Sequence, residues 1–239
     1  MAPQNTHEYR PLRTFSLAAI VSIALVACFD AGTVIAGIGQ IVRPDLKVAD
    51  SASLWLIVQG LIALLEFLVF VLAAVFFLVW LNRAYKNLYA LRPQHLEFSS
   101  GWAVGWWFIP FANLVKPFQV VREVWAESDP EITEGSTFLS MSLHQAPTYM
   151  GLWWASWIIM NISSNIASRT LDVEDPSSIA FSGYVFVFAG IVGVVSAVLA
   201  IMVIRDITRR QELRSTRINA LFASHAPPPP PTFHDHDRS

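Results

Sequence analysis

Four long blocks of apolar residues set what this chain can fold into. They run from about 15 to 39, 54 to 81, 148 to 167 and 179 to 204. About 20 predominantly apolar residues are enough for an α-helix to cross a ~30 Å hydrocarbon core at 1.5 Å per residue. The bulk numbers agree, at 54% hydrophobic and 14% charged residues with a mean hydropathy of +0.47. A soluble domain carries about 25% charged residues. Lipid offers no hydrogen bonds, so each block must satisfy its own backbone, and helices do so within one segment. The expected fold class is all-α integral membrane, a four-transmembrane-helix bundle.

The remaining sequence is arranged around these blocks. Residues 1–14 are a polar tail, and 15–204 form the membrane domain. Residues 205–222 continue the fourth block as a basic juxtamembrane helix, and 223–239, with Pro227–Pro231, read as a disordered tail. The second block should extend past the lipid to Tyr89, because Trp80, Ala84, Leu88 and Leu91 keep one apolar stripe at helical spacing. Arg92-Pro93 should end it. The third block is the most polar, with Asn161, Ser163, Ser164 and Asn165 crowding its end. In the fourth, Ala189, Gly193, Ala197 and Ala200 line up as a small-residue face that lets membrane helices approach closely.

Cys28, the single cysteine, excludes an intrachain disulfide. Leu25-Val26-Ala27-Cys28 has the form of a lipobox, but the apolar run continues through Ile38, past the length of a signal h-region. The simpler reading is a buried thiol in an uncleaved first helix.

Between the second and third blocks lies the segment 101–125, GWAVGWWFIPFANLVKPFQVVREVW. It is too apolar for a solvated loop and too broken by Pro110, Lys116 and Pro117 for a plain span. It reads as a re-entrant or interfacial segment. Pro110 should break the chain, Asn113 should satisfy the freed backbone, and Pro117 should open a second helix at its first turn. Gly101 and Gly105 would permit tight backbone. With four spans, 13 of the 16 Lys and Arg residues (all but Arg43, Lys47 and Arg169) lie on the side of both termini. The positive-inside rule makes that side cytoplasmic. A fifth span at 101–121 would put the arginine-rich C-terminal helix outside, against the rule.

Three stretches together resemble a known family: Trp80 to Asn87 (WxNRAYxN), Gly101 to Pro117 (GWAVGWWFIPxxNLxxP) and Arg122 to Trp125 (REVW). The chain resembles the bacterial membrane proteins grouped as domain of unknown function 4328 over roughly residues 50–210. The resemblance implies a multi-span bacterial membrane protein, in the cytoplasmic (plasma) membrane, with this motif between spans. It brings no activity, cofactor or catalytic residue.

Three sets of residues are candidates for function. The first is the motif itself, with Arg83, Trp106, Trp107, Pro110, Asn113, Pro117, Glu123 and Trp125 as an interaction surface. The structural alternative is an aromatic belt anchoring an interfacial helix. Within this set Arg83 and Glu123 are expected to pair. The second is Asp30, Glu66 and Asn161 as an intramembrane ion or proton site, the two acids at similar depth on adjacent antiparallel helices. An acid at the centre of a span costs about 2.5–3.5 kcal/mol on insertion scales, which marks it as a functional candidate. The alternative is a protonated pair acting as interhelical hydrogen-bond donors. The third is Arg210, Arg214 and Arg217, spaced i, i+4 and i+7 beside a span and suited to anionic lipid headgroups.

Enzyme signatures are absent: no GxSxG, HExxH, P-loop or GxGxxG occurs. The sequence points to a non-enzyme with no cofactor and no metal site. Its expected partners are membrane lipids and a membrane protein or a second copy, not nucleic acid. The leading expectation is a scaffold or accessory subunit presenting 101–125. The alternative is a small proton- or cation-coupled transport protein using Asp30 and Glu66.

Overall fold

The computed structural model describes residues 8–42, 52–91, 96–131, 146–170 and 176–225. The described residues contain helices and turns and no strand. In chain order the helices are α1 (Arg13–Val42), α2 (Ala52–Ala90), α3 (Trp102–Gly105), α4 (Lys116–Glu127), α5 (Thr148–Thr170) and α6 (Pro176–His225). Two 3-10 turns, Trp106–Phe108 and Ala112–Leu114, join α3 to α4.

The punctuation is local chemistry. α2 ends at Ala90 ahead of Arg92-Pro93, where the proline ring disfavours helical backbone in the residue before it. Pro117 sits in the first turn of α4 and Pro176 opens α6, positions where the missing N–H costs no helical hydrogen bond. With no proline inside it, α6 runs unbroken for 50 residues. The expected basic juxtamembrane helix is therefore a continuation of the same rod.

α1 lies between α2 and α6, and α5 packs along the other side of α6. Small residues on α6 allow the close approach to α1. A Cβ on Gly190 would come 2.7 Å from Val34 Cγ2 and 3.1 Å from the Asp30 carbonyl oxygen. One on Gly193 would come 2.7 Å from Asp30 Oδ2. Ala189, Ala197 and Ala200 are buried beside them, as the small-residue face predicts.

The core gathers at the end where α1 begins and α2 finishes. Trp80, Ala84, Leu88 and Leu91 are buried there, so the stripe read from the sequence is the packed face. Leu12, Val120, Val121, Val124, Ile204 and Ile207 close around it. Toward the other end α2 is apolar but open, with Leu61, Leu64, Leu65, Phe67 and Leu68 each about half exposed. An apolar surface of that extent calls for lipid rather than water.

Among the described residues, three helices are long and apolar enough to cross a membrane, within Arg13–Gly39, Gly60–Ala90 and Ala180–Ser224. The third expected span forms a helix, α5, but its Asn and Ser residues keep it outside that group. Cys28 lies mid-way along unbroken α1 and is exposed, not buried.

Candidate functional site

The acids converge. Asp30 from α1 and Glu66 from α2 line one cavity of about 570 Å³, walled by all four long helices. α1 adds Thr33, α5 adds Met160 and Ser164, and α6 adds Gly193 and Ser196. Phe67, Phe70, Trp153 and Trp157 supply aromatic wall, and Trp107 of the central segment closes one end. Asp30 is held by the absence of a side chain opposite it: its carboxylate occupies the space beside Gly193 that any Cβ would fill. Asn161 does not join the acids. Its amide donates to the Trp157 carbonyl at 2.8 Å, one turn back on its own helix. The cavity is reached instead by its neighbours Met160 and Ser164, because one residue along a helix turns a side chain by about 100°.

The central segment packs between α2 and α5. Trp107 meets Phe77 of α2 edge-on at 5.2 Å between ring centroids, and Trp154 and Trp157 of α5 at 5.8 and 5.9 Å. Trp154 Nε1 donates to the Leu114 carbonyl at 2.9 Å, and Phe118 stacks on the same ring. The chain reverses at Pro110-Phe111, where Phe111 takes the left-handed φ of 64° that bulky residues avoid. The reversal thrusts Phe108 and Phe111 outward, 72% and 87% exposed, with Leu114 and Val115 half exposed beside them.

Several expectations for this segment need correction. Gly101 and Gly105 both adopt ordinary helical backbone; Gly105 has a packing reason, since a Cβ there would sit 3.2 Å from the Trp102 ring, and Gly101 is open. Asn113 does not rescue the backbone freed by Pro110. Its Oδ1 is buried without a hydrogen-bond partner, as are Trp106 Nε1 and Trp107 Nε1. Pro117 and Trp125 are buried rather than presented. Arg83 and Glu123 do not pair. Arg83 lies 4.9 Å over the Phe15 ring, while Glu123 accepts from Tyr85 Oη at 2.9 Å and from the Glu97 N–H. Two residues along α2 turn a side chain through about 200°, so the face toward α4 carries Tyr85 and not Arg83. Burial pushes the Glu123 carboxyl above its ordinary range, and its hydrogen bonds from Glu97 and Tyr85 only partly oppose this.

The arginines proposed for lipid are turned toward α4. Arg210 bridges Asp129 at 3.2 Å and Asp206 at 3.5 Å, with its guanidinium 3.9 Å over the Trp125 ring. Arg214 is buried and donates to the Glu127 carbonyl; Arg217 donates to the Pro130 carbonyl at 2.8 Å. The end of α4 has carbonyls with no partner in their own helix and the negative end of its dipole, which draws cations. Asp206 also accepts from Trp125 Nε1 and Tyr149 Oη, both at 2.7 Å. Gln211 donates to the Ala84 carbonyl and Ser128 Oγ, and accepts from Asn87 Nδ2.

Helices throughout the described residues, three of them long and apolar enough to cross a membrane, fit an integral membrane protein by class. More narrowly, the chain belongs to the family described as a domain of unknown function (DUF4328), whose match covers residues 46–209. That span takes in Glu66, the whole central segment and most of α6, but begins after α1 and Asp30. No curated protein and no solved structure matches the chain.

Proposed function

We propose that this is a four-span membrane protein that binds and moves a proton or cation at Asp30 and Glu66. The convergence of both carboxylates on one cavity carries the reading. As the fourth crossing, α5 spans about 34 Å for its 23 residues and lies along α6, which supports counting it despite its polar residues. Both termini then share the cytoplasmic side of the plasma membrane with the arginine-rich end of α6. The central segment is re-entrant from that side, its Phe108 and Phe111 tip in lipid and Trp107 as the cavity floor. No enzymatic step, cofactor or nucleic acid enters this reading.

Proton and cation flux into proteoliposomes tests it. The natural protein should exceed empty liposomes, and Asp30→Asn or Glu66→Gln should abolish the excess while eluting as folded protein. Equal flux in natural and mutant proteins would remove the acids from the site.

A second reading, a scaffold for a membrane-protein partner or a second copy, is favoured by the exposed apolar 108–115 tip. A partner stably co-purifying with the natural protein and lost on Phe108→Ser/Phe111→Ser would raise it to first.

A further inference from the structure

The cavity walled by the four long helices is larger than a divalent metal ion needs, and its chemistry is not that of a divalent-cation site. About 570 Å³ falls within the ~300–1,000 Å³ of pockets that take drug-sized ligands. A hard cation of the calcium or magnesium type gathers about six or more oxygens. Here the side-chain oxygens belong to Asp30, Glu66, Thr33, Ser164 and Ser196, spread over four helices. Among the described residues no group of three His, Cys, Asp or Glu side chains gathers that could hold a metal ion.

What the walls offer is aromatic and apolar surface around two acids. Aromatic faces attract organic cations, and the attraction strengthens away from water. None of the described lining residues is a Lys or Arg that could neutralise either carboxylate. The charge that complements this cavity comes from protons or from a cationic ligand. The mouth shows the route. Phe67 and Phe70 line the cavity and are also 59% and 48% exposed, on the open apolar face of α2. The cavity therefore opens sideways, where the proposed bilayer holds its hydrocarbon.

We infer that the cavity takes an amphipathic organic cation from the lipid. Its positive centre lies between Asp30 and Glu66, and its apolar body lies against Phe67, Phe70, Trp157 and Trp107. This rests on the membrane placement and on the acids as the site, and it names the class of ligand.

Equilibrium binding of radiolabelled tetraphenylphosphonium to the full chain in nanodiscs tests it, with empty nanodiscs of the same lipid subtracted. Binding should saturate near one per chain. Neutral triphenylphosphine oxide should fail to compete, a control that needs no variant. Glu66→Gln and Asp30→Asn should each weaken binding by about tenfold or more, and Glu66→Asp should retain most of it. Equal competition by the neutral compound would overturn the inference by making the pocket merely apolar, as would binding unchanged in both acid variants. If no tetraphenylphosphonium binds while acid-dependent proton or sodium flux persists, the organic cation is wrong and the acid site stands. If binding and flux are both missing, the acid-site reading falls and this inference falls with it.

Discussion

At the arginine-rich end of the bundle, Trp80, Tyr85 and Gln211 are sealed from solvent, and polar groups of α2, α4, α5 and α6 are joined by hydrogen bonds in three separate groups. Some 27 Å away along α6, from Gln211 to Gly193, the same helices stand apart around a cavity with two acids. The first region has many polar groups, most of them matched; the second has few, and its acids have no Lys or Arg among the described lining residues. A region whose groups complete one another specifies a structure. One whose charges are left uncompensated is built to receive something.

Mutations should separate the two by size and sign of effect. The largest loss is expected from Trp80→Ala, which empties a fully buried site and frees Thr208 from its indole N–H; about 3–5 kcal/mol is the scale for such a truncation. Phe67→Ala at the cavity mouth should cost about 0.5 kcal/mol or less, since its ring is already exposed. Thermal melts in one detergent compare the two, and equal losses would erase the distinction. Next is Gly193→Val, expected to cost about 1–3 kcal/mol by forcing Asp30 out of its place and to disable flux as well. Gln211→Leu should cost a similar or smaller amount, about 1–3 kcal/mol, by stranding buried partners on α2 and beside α4, with flux surviving in the folded fraction. Loss of flux alone, with an unshifted melt, would move Gln211 into the transport machinery.

The smallest effect should be a pH slope at the packed end. Glu123 holds its proton more tightly folded than unfolded, so its contribution to stability is full below its ordinary carboxyl range. That contribution fades as pH rises through the higher folded value. Glu123→Gln should flatten the fall in melting temperature above the ordinary range; an unchanged slope would assign the slope to another group.

The helices were readable because lipid-length apolar runs and helical stripes are one-dimensional patterns. Trp80, Ala84, Leu88 and Leu91 fell on the buried face, and Asp30 and Glu66 came to one level because residue counting along two antiparallel helices fixes depth. Rotation was not readable. Nothing in i, i+4 spacing says whether Arg210 and Arg214 face lipid or a neighbour; that was decided by the carbonyl-rich end of α4, a short helix whose docking site no pattern specifies. Asn161 missed the cavity for the same reason, one residue out of phase with Met160. Gly190 carried a signal, its place three residues before Gly193, but its need for closeness appears only once α1 is against it.

Asn87 has a consequence for how the protein is made. Its amide exchanges two hydrogen bonds with the Arg10 backbone, at 3.1 and 2.8 Å, and donates to Gln211 at 3.2 Å. The ribosome releases residue 10 long before residue 211, yet one side chain joins them. Until α6 has been made, Asn87 lacks its second partner and the Ala84 carbonyl its bond from Gln211, so that end of the bundle stays open. Closure of this end thus waits for α6, and a chain stopped before Gln211 is expected to leave that end open.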